Sequence, residues 1–183
     1  MCGRPLALIR PLLEIKNGFY AFENALHVFP ATPGPDECSI PEWNADSLWR
    51  EDYRGMANGI LFFAEDVFGV QFGIKDDAVC SFDPETGACE SIASSVEGWA
   101  SQVLEDHPVW TGQPLAHKWQ GVHGPLAPGT RLLPKTPFVL GGEFSLGNCY
   151  ALDAVKGMKY RASIAVQIRD VPDGAKVVLR TGD

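Results

Sequence analysis

The sequence lacks long hydrophobic runs. Even its longest uninterrupted apolar runs are short, such as Ile60–Ala64, whereas a helix that spans a membrane needs about 20 apolar residues. The first residues include Arg10, Glu14 and Lys16 at positions where a signal peptide would place an apolar core. These absences predict a soluble protein that remains in the cytoplasm.

Paired cysteines and clustered histidines are also missing. No cysteine lies in a Cys-x-x-Cys pair, and no two histidines are four residues apart as a helical zinc site requires. His117 and His123 are six apart without a nearby cysteine, which is a weak metal pattern. We therefore predict no metal and no cofactor, and we expect reduced thiols at Cys2, Cys38, Cys80, Cys89 and Cys149.

The usual catalytic motifs are absent as well. There is no Gly-x-Ser-x-Gly elbow and no phosphate-binding loop, because the glycine-rich stretch 141–147 contains no lysine. Close backbone packing explains that stretch better. Acidic doublets recur, but neighbouring acids on a strand point to opposite faces and do not share a cleft. We predict no catalytic residue, and a hydrolase using Glu65, Asp66 or the histidines remains an alternative.

Basic residues are scarce in the centre of the chain. The 183 residues contain 15 basic and 23 acidic side chains, a net charge of −8. Residues 36–106 alone hold sixteen acidic and three basic side chains, a net charge of −13. Such a segment repels nucleic acid and anionic membranes, whose binding depends on basic side chains. What it can attract is a basic protein. The alternative is that the acidic charge only keeps the protein soluble.

The clearest structural signal is a series of short β-rich segments in the same region. Strands are predicted at 59–66, 67–74, 78–82 and 89–92, with a turn at Asp83–Gly87. The links are too short for crossover helices, so the strands form an antiparallel meander. A helix at 95–104 follows, with Ser94 and Glu97 at capping-box spacing, and Pro108 ends it.

The flanking segments are less regular. Helices are predicted at 11–16, over the aromatic residues 43–53, at 112–124 and at 160–171, where a strand also fits the pattern. Further strands are predicted at 138–140, 149–152 and 175–179. The fold class is therefore α+β: a mostly antiparallel sheet of about five or six strands with helices packed against it, in one domain spanning residues 1–183.

Several segments together resemble the SUKH superfamily of bacterial immunity proteins over roughly residues 12–175. The most specific are Phe63-Ala-Glu-Asp-Val-Phe-Gly69 and Phe82-Asp-Pro-Glu-Thr-Gly87, supported by Tyr53-Arg-Gly55, Pro134-Lys-Thr-Pro-Phe138 and Tyr150-Ala-Leu-Asp153. The resemblance implies an α+β fold and non-enzymatic neutralisation of a cognate toxin, often a nuclease or deaminase. A regulatory adaptor that binds several partners, like the eukaryotic relatives, is the alternative.

The acidic centre and the resemblance lead to one hypothesis about partners. A nuclease toxin engages phosphates and is basic, so an acidic surface would bind it as a monomer or weak dimer. We expect the contacts to cluster around strand ends and the turn at Pro84. The candidate contact residues are Glu51, Asp52, Glu65, Asp66, Asp76, Asp77, Asp83 and Glu85.

Overall fold

The computed structural model describes residues 3–34, 37–172 and 174–175. The helices are α1 (Gly3–Ile15), α2 (Ile40–Trp43), α3 (Val96–Glu105), α4 (His107–Thr111), α5 (Gln113–His123) and α6 (Ala154–Ile168), with 3-10 turns at Arg50–Tyr53, Phe138–Leu140 and Leu146–Asn148. The strands are β1 (Phe19–Ala21), β2 (Leu26–Val28), β3 (Leu61–Asp66), β4 (Gln71–Lys75), β5 (Ala78–Phe82), β6 (Cys89–Ala93), β7 (Thr130–Pro134) and β8 (Cys149–Asp153). The strand predicted at 175–179 lies outside the described residues except for Ala175.

The strands β1 to β6 form one antiparallel sheet in the order of the sequence, and β7 pairs with β8 in a second small sheet. This confirms the predicted α+β class and the meander. One strand prediction is wrong, because residues 138–140 form a 3-10 turn. Strand β7 was not predicted, and it lies in the stretch 121–137, which is rich in proline and glycine.

The β3–β4 connection differs from the predicted strand at 67–74. Residues 67–70 form a tight turn, in which the Asp66 amide donates to the Val70 carbonyl at 3.0 Å and the Gly69 amide donates to the Asp66 carbonyl at 3.1 Å. Strand β4 therefore begins at Gln71.

Adjacent phenylalanines divide the core between the two faces of the large sheet. Phe62 contacts Trp49, the residue before the 3-10 helix Arg50–Tyr53, with ring centroids 5.3 Å apart. Phe63 points the other way, toward Trp99 of α3 at 4.9 Å. Helix α6 packs against the 3-10 helix Arg50–Tyr53 and therefore joins the Phe62 side. The sheet is covered on both faces, and α3 and the 3-10 helix lie on opposite sides of it.

Helix ends follow local capping chemistry, with some differences from prediction. Ser95 rather than Ser94 caps α3, because its hydroxyl accepts from the Gly98 amide at 3.1 Å. The chain turns at Asp106, so that Pro108 lies in the first turn of α4 instead of ending α3. Helix is correct for 160–171 through Ile168, although α6 begins earlier, at Ala154.

The N-terminal predictions also require adjustment. The helix predicted at 11–16 begins at Gly3 and contains Pro11, and Gly18 after it has φ of +74°. The aromatic segment 43–53 is not one helix: it contains the last residue of α2 and, after a stretch of turns, the 3-10 helix Arg50–Tyr53. Within the described residues, no helix has the length and hydropathy needed to cross a membrane.

Candidate functional site

The structure separates the predicted contact residues into a buried and an exposed group. Glu65, Asp66 and Glu85 expose only 1%, 6% and 4% of their surfaces. This degree of burial argues against direct contact between these three carboxylates and a partner that binds the folded chain. The remaining five are the exposed Glu51, Asp52, Asp76 and Asp77 and the half-buried Asp83.

Glu65 is the centre of a buried polar network. Its Oε1 accepts from Arg131 Nε at 2.8 Å and lies 3.4 Å from His27 Nδ1. Its Oε2 accepts from Gln71 Nε2 at 3.1 Å. His27 and Gln71 are the cross-strand neighbours of Glu65 on β2 and β4. Arg131 comes from β7, so the ion pair joins the large sheet to the small one.

Aromatic rings enclose this network. Tyr20 stacks on His27 with ring centroids 4.2 Å apart, and the Arg131 guanidinium carbon lies 5.5 Å from the Tyr20 ring centroid. Trp43 Nε1 donates to Gln71 Oε1 at 2.8 Å. Excluding water in this way strengthens the ion pair, since a low local dielectric increases the attraction between opposite charges.

The electrostatics of Glu65 favour its ionised form. Burial raises its pKa, but Arg131 and the hydrogen bonds from His27 and Gln71 together outweigh burial and lower the pKa of Glu65 to about 2. A histidine beside a carboxylate can serve as a general base only where a substrate reaches it. The His27 and Glu65 side chains are both buried. The network therefore fits a role in holding the two sheets together.

Asp66 organises the tight turn after β3. Its Oδ1 accepts from the amides of Phe68 and Val70, each at 2.8 Å. Burial raises the pKa of Asp66 to about 7, even though these amides and the nearby Arg161 favour the ionised form. Arg161 donates to the Phe68 carbonyl. Gly69 has φ of +75°, and a Cβ there would overlap the Arg161 guanidinium, so this position requires glycine.

Asp83 and Glu85 have structural roles in the predicted turn at 83–87. Asp83 accepts from the Glu85 amide at 2.8 Å and from the Thr86 hydroxyl at 2.9 Å. Glu85 Oε2 accepts from the Val139 amide at 2.8 Å, which ties the turn to the 3-10 turn at 138–140. Burial raises the pKa of Glu85. Gly87 has φ of +72°, which confirms the predicted turn chemistry.

The exposed predicted residues do not form one cluster. Asp76 and Asp77 make the two-residue β4–β5 turn with φ of 51° and 65°, the positive values of a type I′ hairpin. Asp83 follows the other end of β5, a strand of five residues that spans about 16 Å. Glu51 and Asp52 lie on the 3-10 helix. Asp76 and Asp77 therefore lie at the opposite end of β5 from the turn at Pro84, whereas the 3-10 helix is joined to that turn by the Tyr53 hydroxyl, which donates to the Pro84 carbonyl at 2.9 Å.

Sequence reasoning missed an acidic surface on the opposite side of the large sheet. Glu97 and Glu105 lie on α3, Asp106 follows its last residue, and all three are exposed. A signal for this surface was present, because the sequence contains no Lys or Arg between Lys75 and Lys118. The net charge of the whole acidic segment does not show that these three residues lie on a different face of the sheet from Glu51 and Asp52 on the 3-10 helix.

Metal ligands are not brought together in the part of the chain that the structure describes, where no group of three or more His, Cys, Asp or Glu side chains could hold an ion. Cys38, Cys80, Cys89 and Cys149 are free thiols. Burial raises the pKa of the Cys38 and Cys149 thiols, so neither is an activated nucleophile.

Comparison with known proteins gives information about the fold alone. No family model matches the chain, and no curated protein sequence matches it significantly. Among solved structures, the chain is similar to the crystal structure of Atu4351 from Agrobacterium tumefaciens, with a TM-score of 0.57 and 14% sequence identity. The match covers 84% of this chain and 73% of that one. At this identity the likeness establishes a shared architecture.

Proposed function

We propose that the chain is a non-enzymatic immunity protein of the cytoplasm that binds and neutralises a basic toxin domain, a nuclease or deaminase, through its acidic surface. The observation that carries the proposal is the placement of its charges. Glu51, Asp52, Glu97, Glu105 and Asp106 all face solvent. Surface charge of one sign steers a partner of the opposite sign and speeds association.

Of the three basic residues in the acidic segment, one is turned into the fold. Arg50 is largely enclosed, donating to the carbonyls of Ala57 and Ile60 at 2.8 and 2.9 Å. Arg54 and Lys75 remain exposed. The resemblance to SUKH immunity proteins supports the same function. The buried positions of His27, Glu65 and Asp66 argue against a hydrolase that uses them.

The test is binding to the toxin domain encoded by the adjacent upstream gene. We expect a 1:1 complex, protection of cells that produce the toxin, and an association rate that falls at least tenfold between about 20 and 300 mM salt. A rate that does not depend on salt contradicts the electrostatic part of the proposal. Pull-downs that return several weak partners and no toxin favour the adaptor instead.

A further inference from the structure

We propose that the corner between α3 and α4 is the docking surface, with Leu104 and Val109 as its apolar centre and Glu97, Glu105 and Asp106 as its acidic rim. The occupant is a basic protein surface that carries an apolar side chain. This inference rests on the proposed function, because it names the place where the toxin binds.

The apolar centre consists of side chains that the fold does not use. Leu104 and Val109 expose 72% and 74% of their surfaces. The same helices bury other residues: Trp99 and Val103 of α3 belong to the main core, and Trp110 of α4 packs with its ring centroid 6.5 Å from that of Phe72. The exposed pair therefore contributes little to folding, and its apolar surface is free to be covered by a partner.

The rim carries charge of one sign. Neither α3 nor α4 contains a Lys or Arg, since residues 76–117 have none. His107, at the start of α4, stacks on Phe22 with ring centroids 4.6 Å apart and so faces the β1–β2 turn. The three carboxylates of the rim consequently meet no basic side chain from their own helices. A basic partner surface complements this rim.

The same charges argue against other occupants. In a two-fold dimer through this corner, the acidic rims of the two copies would face each other and repel. Anionic lipid headgroups would be repelled for the same reason. An apolar centre surrounded by charged groups is instead the usual arrangement of a protein–protein interface, where a few central residues supply most of the affinity.

The experiment measures binding of the adjacent-gene toxin domain to matched double variants. Leu104→Ser with Val109→Ser should weaken the Kd about 100-fold, mainly through faster dissociation. The control, Ile15→Ser with Val122→Ser, changes two other apolar residues that are 85% and 68% exposed and should alter the Kd by less than about threefold. Because all four residues are exposed, the melting temperatures of both variants should match the wild type.

A second pair of variants tests the rim. Glu105→Gln with Asp106→Asn should slow association about fivefold at low salt and also speed dissociation, whereas Glu51→Gln with Asp52→Asn should leave dissociation unchanged. If the wild type binds and the variants at the corner bind equally well, the docking surface is wrong while the proposed function stands. If the wild type binds no such toxin, the proposed function fails and this assignment fails with it.

Discussion

Glu65 and Glu51 carry the same carboxylate, yet one is buried against β7 and the other faces solvent on the 3-10 helix. Glu65 has three side-chain partners, one of them an arginine 66 residues away along the chain. Glu51 adds to the long-range electrostatic field of the chain and contributes little to its packing. The comparison teaches that local sequence does not decide the role of an acidic residue here. That role depends on which residue the fold places next to the carboxylate.

The substitution Arg131→Met is the sharpest test of the role of the buried carboxylate, Glu65. This change leaves the Glu65 carboxylate buried without its cation, and we expect the free energy of unfolding to fall by about 3–5 kcal/mol. Urea unfolding at neutral pH measures the loss. The double variant Glu65→Leu with Arg131→Met should be more stable than the single variant, because it removes both charges together. A loss below about 1 kcal/mol in the single variant would show that the ion pair does not hold the sheets together.

A second test compares how the stability of the wild type and of Asp66→Asn, its neutral analogue, depends on pH. The pKa of Asp66 is raised to about 7 in the folded chain from an ordinary value of 3.8. Its folded state therefore holds a proton that the unfolded state loses, and the stability due to Asp66 falls as the pH rises from about 4 through 7. Asp66→Asn removes this dependence while keeping an oxygen for the amides of Phe68 and Val70.

From pH 5 to pH 8, the free energy of unfolding of the wild type should fall by about 2 kcal/mol relative to that of Asp66→Asn. Chemical denaturation at the two pH values measures it. The opposing contribution of Glu65 does not interfere, since its lowered pKa affects stability as the pH falls from about 4.5 toward 2. Parallel pH profiles for the two proteins would contradict the raised pKa of Asp66.

Asp83 lies between the two extremes, half-buried and bonded within its own turn. Replacing it with Ala removes both acceptors, and we expect a loss of about 1–2 kcal/mol. Asp83→Asn keeps the acceptor for the Glu85 amide and should lose about half as much. Thermal unfolding of the pair measures the difference. Equal losses would mean that the bond to the Thr86 hydroxyl is the one that matters.

The sequence predicted well where a local rule suffices. Strand β5, the turn capped by Asp83 and the helix after residue 95 follow from β-propensity, turn residues and apolar periodicity. Segments whose structure depends on distant partners were missed. Strand β7 lies in a Pro/Gly-rich stretch, and its Arg131 is fixed by a carboxylate on another sheet. Propensity carries no information about such a partner.

The two segments most similar to the SUKH pattern show the same limit. Within 63–69, Glu65 binds Arg131 and Gly69 leaves room for Arg161. Within 82–87, Asp83 caps a turn and Pro84 accepts from the Tyr53 hydroxyl at 2.9 Å. These residues specify the fold and lie away from solvent or within turns. The candidate contacts Glu65, Asp66 and Glu85 were chosen for their charge, and charge alone does not distinguish a carboxylate bonded to an arginine or to backbone amides from one that faces solvent.

The smallest stability effect is expected at the exposed extreme, for Glu51→Gln with Asp52→Asn. Both side chains face solvent on the 3-10 helix, and exposed carboxylates are individually worth little, so unfolding should change by no more than about 0.5 kcal/mol. The protein would still associate more slowly with a basic partner at low salt, because two of its steering charges are gone. Calorimetry and stopped-flow binding separate these effects. A stability loss above about 1 kcal/mol would place these two acids with Glu65, as part of the packing, and would remove the contrast between the buried and exposed carboxylates.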